Sequence, residues 1–182
     1  MQNLGTIQQE AGCLVEAMAL YQEALTAQER SLGRVHPDTI VMRSNMACLL
    51  EEIGDLAEAE VQYRAVVRDR ESSLGCNHPD TAVAWNNLGL FLLSQRNSIE
   101  STPLFRQCAS AWQSREDWLR LWPLLGLALC GVLETGDAAP AEDVIAELAA
   151  MLGADHERVT TARRRLAAAL QRDPGDAPKD SP

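Results

Sequence analysis

Histidine occurs three times, always in the same kind of setting. His36 and His78 each open a His-Pro-Asp-Thr stretch, 42 residues apart, and His156 follows Leu152-Gly153-Ala154-Asp155. An imidazole can ligate a metal or carry a proton. A metal site needs several His, Cys, Asp or Glu side chains at close range. Here the regular spacing separates the three histidines, and packing within a recurring linker is the reading it favours. The cysteines Cys13, Cys48, Cys76, Cys108 and Cys130 are odd in number and scattered, with no CxxC pair. Neither a zinc site nor a redox pair follows, and free thiols fit a reducing compartment. No Ser-His-Asp order, phosphate-cradling glycine loop or His/Glu pair at helical spacing stands out. Glu51-Glu52, Glu58/Glu60 and the run Arg163-Arg164-Arg165 read as solvated faces. No catalysis, metal or cofactor is expected.

Asparagine recurs with the same period. Asn3, Asn45 and Asn87 stand 42 residues apart. An amide both donates and accepts hydrogen bonds, so it can hold the backbone of an extended peptide whatever its sequence. The competing use is a bond to a neighbouring helix. Gln2, Thr6, Ser44, Cys48, Asn86 and Leu90 flank these positions. The set contains no Lys or Arg, which argues against an acidic ligand.

These side chains need elements to position them, and composition points to helices. Hydrophobic residues make up 46% of the 182, yet aromatics only 4%. The apolar content is mostly Ala, Leu and Val, and Ala and Leu favour helices. The formal charge of −10 argues against nucleic acid as a main partner, because phosphate binding needs excess Lys and Arg. No stretch approaches the roughly 20 apolar residues of a membrane span. The opening MQNLGTIQQE lacks a basic segment followed by an apolar one, so a secretory signal is not expected. A cytoplasmic protein is the default expectation.

The period of 42 extends well beyond the histidines. LGRVHPDT starts at Leu32 and LGCNHPDT at Leu74. Leu50 aligns with Leu92, Glu58 with Glu100, Tyr63 with Phe105, and Arg64 with Arg106. Counting back gives Gly5, Gly12, Glu16, Ala17 and Tyr21, so the chain is expected to open inside the first helix of a unit. Each unit reads as two helices. Pro after His suits a helix start, and Asp suits the positive end of its dipole. Gly54-Asp55 breaks the first helix. Leu56, Ala59, Tyr63 and Val67 then mark one face of the second, which ends at Leu74-Gly75. Gly5, Ala47 and Gly89 are small where helices must approach closely. Tyr21, Tyr63 and Phe105 would fill the space between them. Beyond residue 115 the pattern weakens, and Pro123 suggests a kink. Trp112, Trp118 and Trp122 surround this junction. A cover over the seam is preferred to a binding anchor.

This order of Leu-Gly, Gly-Asp, Glu-Ala and Tyr resembles the tetratricopeptide repeat, whose common form has 34 residues. The longer unit with its LGxxHPDT linker is similar to the subtype of kinesin light chains and nephrocystin-3-like proteins. Pro103 also resembles that subtype. J-domain co-chaperones share His-Pro-Asp but explain neither the preceding Leu-Gly nor the repetition. The resemblance implies an all-α, right-handed superhelical solenoid of antiparallel helix pairs, with about nine helices. Residues 1–31 read as a partial first repeat, 32–73 as the second, 74–115 as the third and 116–152 as a degenerate fourth. Residues 153–172 read as a capping helix, and 173–182 as a disordered tail. The resemblance further implies that the first helices line a concave groove. Asn3, Asn45 and Asn87 would then grip a peptide or helix of a partner protein, as in a cargo adaptor. The alternative is a regulatory or sensor segment of a larger signalling protein.

Tyr63, taken as buried between helices, generates the first prediction. Tyr63→Ala should lower unfolding free energy by about 3–5 kcal/mol in a denaturant titration. A loss below about 1 kcal/mol would put another face of the helix inward.

Overall fold

The computed structural model describes the backbone of residues 4–113 and 117–171, and side chains from residue 18 onward. Asn3 and the tail expected at 173–182 lie outside the described residues. Among those described there are eight α-helices, one 3-10 turn and no strand. The helices are α1 (Leu4–Leu32), α2 (Pro37–Ile53), α3 (Leu56–Leu74), α4 (Pro79–Ser94), α5 (Ser98–Ala111), α6 (Leu121–Thr135), α7 (Ala139–Leu152) and α8 (Glu157–Leu170). The 3-10 turn is Trp118–Arg120. Two compact units divide within α4, one ending at Leu88 and the other starting at Gly89.

The helix count differs from expectation at the start of the chain. The repeat implies a break at Gly12, but α1 runs straight through it. The second helix of the second and of the third repeat, α3 and α5, begins with a capping side chain. Asp55 accepts a hydrogen bond from the Glu58 N–H at 3.2 Å, and Asn97 from the Glu100 N–H at 3.2 Å. The residue in the same register of the first unit is Cys13. A thiol is a weak acceptor. Cysteine is outside the Ser, Thr, Asp and Asn set that favours a helix start, so the sequence there lacks that signal for a second helix.

The linkers explain the recurring motif. Gly33, Gly75 and Gly153 take positive φ, 93°, 81° and 96°, which glycine adopts without a Cβ penalty. Three residues on, the N–H of His36, His78 and His156 returns to that glycine's carbonyl at 3.4, 3.4 and 3.2 Å. Each imidazole then caps the helix that follows. Nδ1 of His36 accepts from the Asp38 N–H at 3.3 Å, that of His78 from Asp80 at 3.1 Å, and that of His156 from Arg158 at 3.2 Å. Pro37 and Pro79 occupy the first helical position, where an N–H would have no partner. The Thr81 hydroxyl donates to the Gly75 carbonyl at 2.8 Å and closes the turn. The break after α4 is different. Arg96, in register with Gly54, holds φ at 58°, and its guanidinium donates to the Gln171 carbonyl at 3.2 Å.

In the first unit, α2 packs against α1 and α3. Two pairs of residues 42 apart fix neighbouring helices. Arg43, 6% exposed, pairs with Glu29. In register with them, Trp85 Nε1 donates to Glu71 at 2.8 Å. The Glu is retained and the N–H donor changes type.

In the second unit, Phe105 is fully buried. A Cβ built on Gly89 would come within 2.9 Å of its ring, and one on Gly126 within 2.5 Å. One aromatic ring therefore sets how closely α4 and α6 approach α5. Pro123 does not interrupt α6. It is the third residue of that helix, where a backbone N–H has no partner within the helix. Leu121, Leu125 and Leu129 of α6 pack with Ile145 of α7 and Val159 of α8. The stretch Trp118–Thr135 is long and apolar enough to pass for a membrane span by composition, which the sequence reading does not anticipate. Helix α6 itself has 15 residues, about 22 Å at 1.5 Å per residue, short of the ~30 Å hydrocarbon layer. Trp118 and Trp122 stand edge to face at 6.5 Å. Arg158 lies 4.0 Å over Trp118 and Arg165 5.6 Å over Trp122. The sequence places Arg165 on a solvated face. It is half-buried instead, because the indole offers its π face to the cation.

His78→Ala should cost about 0.5–2 kcal/mol, the usual loss for a helix cap; an unchanged urea midpoint would refute the capping role. Gly126→Ala should cost about 1–3 kcal/mol through overpacking. Adding Phe105→Leu should recover part of that loss, and purely additive losses would mean the ring is not the obstacle.

Candidate functional site

On α2, residues three or four apart share one side. Asp38, Val41, Asn45, Cys48 and Glu52 form such a stripe, and all are exposed. On α4, Asp80, Val83 and Asn87 form the matching stripe. Val41, Ser44 and Asn45 from α2 meet Asp80, Val83 and Asn87 from α4 around one depression of about 280 Å³. Its floor is Ile40, Val66 and Ala84, with Arg70 reaching in from α3. Two asparagines from equivalent first helices thus line one surface.

Sequence reasoning misses Arg70 and Asp80. Val41 and Val83 carry a usable signal, standing 42 apart and one helical turn before each asparagine. Arg70 comes from a second helix, and nothing in the linear pattern assigns it to this surface. The Arg70 guanidinium donates to Asp80 Oδ2 at 3.2 Å. Its side chain is only 10% exposed, whereas that of Asp80 is 53% exposed. The depression therefore does contain an arginine, from outside the set of residues that the sequence singles out. The charge it presents outward is nevertheless a carboxylate.

The remaining candidates are placed as follows. Ser44 and Asn87 are half-buried and Asn45 is exposed. Asn86 is 7% exposed, and its carbonyl oxygen has no hydrogen-bond partner. It is not among the lining residues. Cys48 is exposed and lies 3.2 Å from the Tyr63 hydroxyl, which also donates to Glu51 Oε2 at 3.0 Å. Tyr63 is 4% exposed, as its place in the repeat predicts. Burial pushes its phenol well above the usual range, and Cys48 and Glu51 beside it act in the same direction. Leu90 is half-buried and belongs to the second unit. Among the described residues no three His, Cys, Asp or Glu side chains come together as a metal site would require. The chemistry this surface offers is hydrogen bonding through amides and a hydroxyl, apolar contact through two valines, and one exposed carboxylate.

Comparison with known proteins agrees with this architecture. Residues 1–72 match the tetratricopeptide repeat family model. No curated protein matches the sequence. Two structures of the nearly identical TPR-like repeats of a Podosopora anserina kinesin light chain, the first a single-residue variant, resemble the chain with TM-scores of 0.68 and 0.66. Each is 23% identical and covers 92% of this chain and 82% of its own. BtubC (BKLC) from P. vanneervenii gives 0.64 at 17% identity, covering 93% of this chain and 63% of its own. Identities this low speak to fold alone. Residues 1–72 thus carry the tetratricopeptide repeat, and the described chain has the all-α fold of tetratricopeptide-like helix pairs.

Proposed function

We propose that this chain is a protein-interaction scaffold of the adaptor kind, binding an extended peptide segment of a partner protein across α2 and α4. It acts by positioning, without a cofactor and without chemistry on its ligand. The observation that carries the reading is the pair Asn45 and Asn87, which line one depression at equivalent places in successive 42-residue repeats. Two amides can satisfy the backbone of an extended chain, whose N–H and C=O groups must find partners when they leave water. The exposed Val41 and Val83 add apolar area beside them. The repeat family matched by residues 1–72 generally mediates protein–protein interactions, which supports the reading. Its cysteines, read as free thiols, suit work in the cytoplasm.

The test begins with peptides selected from a displayed random library against the whole chain. Asn45→Ala with Asn87→Ala should weaken the selected peptides by roughly fivefold to a hundredfold, at about 0.5–1.5 kcal/mol per lost hydrogen bond. Helical content should stay unchanged by circular dichroism. His36→Ala with His78→Ala should leave affinity nearly unchanged, since those imidazoles cap helices. Binding that ignores the asparagines and disappears with the histidines would end this reading and move the site to the linkers.

A further inference from the structure

We infer that the segment bound by this depression is basic, with an aliphatic side chain seated at Val41 and Val83 and Lys or Arg close by. The inference rests on the function proposed above and specifies its ligand. Charge on the two lining helices is one-sided. The exposed stripe of α2 carries Asp38 and Glu52 at its ends, and that of α4 carries Asp80. The cation in the sequence of α2 is Arg43, which is 6% exposed and paired with Glu29. The sequence of α4 contains no Lys or Arg. Arg70, the cation in the depression, is sunk beneath Asp80 and bonded to it.

A ligand in the depression therefore meets one carboxylate, Asp80, with two amides, a hydroxyl and two valines, and a segment running along α2 meets Asp38 and Glu52 beyond it. Val41 is 48% exposed and Val83 43%, so an aliphatic side chain can remove both from water. An acidic segment would set its carboxylates against Asp38, Glu52 and Asp80 with no exposed cation on α2 or α4 to pair with. The chain's charge of −10 acts in the same direction at long range. Opposed potentials of this kind set which partner is accepted and how fast it arrives.

Three fluorescein-labelled peptides of one length, each with a central Val flanked by Lys, by Ser or by Glu, make the test. Binding to the full chain is read by fluorescence anisotropy at low and at high salt. The Lys peptide should bind about tenfold more tightly than the Ser peptide, and the Glu peptide most weakly. The advantage of Lys over Ser should shrink as salt rises. Asp38→Asn with Glu52→Gln should lower the affinity of the Lys peptide several-fold and leave the Ser peptide unchanged. This variant spares Asp80, whose loss would unpair Arg70, and a thermal melt checks that it folds. Neutralising Glu142 and Asp143, exposed on α7, should change nothing. Equal binding of all three peptides, with each still weakened by Asn45→Ala and Asn87→Ala, would overturn the basic preference and keep the groove. Lys-peptide binding indifferent to the asparagines, and equally sensitive to α7 neutralisation, would overturn both. Failure of the Lys peptide to bind where Ser or Glu peptides do, or failure of all three at millimolar concentration, would also overturn the basic preference.

Discussion

An aromatic ring from the second helix of a unit, lodged where the facing helices have no side chain, is the contact on which the second unit's packing depends. Phe105 lies against Gly89 and Gly126, and a Cβ at either position would collide with its ring. The ring fixes the approach of a helix within the unit and of the helix that follows. Helix pairs of this kind cannot bury their apolar faces alone and gain stability from their neighbours. Tyr63 stands in register with Phe105 in the first unit. There its ring is buried while its hydroxyl reaches Glu51 and Cys48 on α2.

Besides packing, the linker constrains where the next helix begins, by hydrogen bonding. Glycine in a left-handed conformation, a histidine N–H returning to its carbonyl and an imidazole capping the following helix recur three times. Through this turn α2 and α4 present equivalent residues to one surface. The interaction surface is thus a consequence of repetition, since valine one turn before asparagine occurs on both helices.

Much of this is legible in the sequence because periodic features are local. The linker, the Gly-Asp break and the buried aromatic are all readable from residues near one another. The period assigns the histidines to the linkers, although it does not reveal their capping bonds. What the sequence hides depends on single substitutions or on distant contacts. The first repeat has Cys13 where the next two have an Asp or Asn cap, and α1 continues through that position. Pro123 looks like a kink but lies in the first turn of its helix, because α6 starts later than the apolar pattern suggests. Arg165 looks solvated in a run of three arginines, yet it lies over Trp122, contributed by another helix. Arg70 and Asp80 join the candidate surface through an ion pair between α3 and α4, which no linear spacing reveals. Asn86 stands beside Asn87 in sequence but turns inward, since adjacent residues on a helix point about 100° apart.

The central claim is that side-chain amides on successive first helices hold a ligand backbone. The most direct measurement is a nuclear magnetic resonance titration of the chain with a peptide selected against it, following the side-chain amide signals of Asn45, Asn87 and Asn86. The account predicts large shifts at Asn45 and Asn87, with Asn86 far less affected. Unchanged signals at Asn45 and Asn87, together with shifts confined to the linker residues Gly75 to His78, would contradict it.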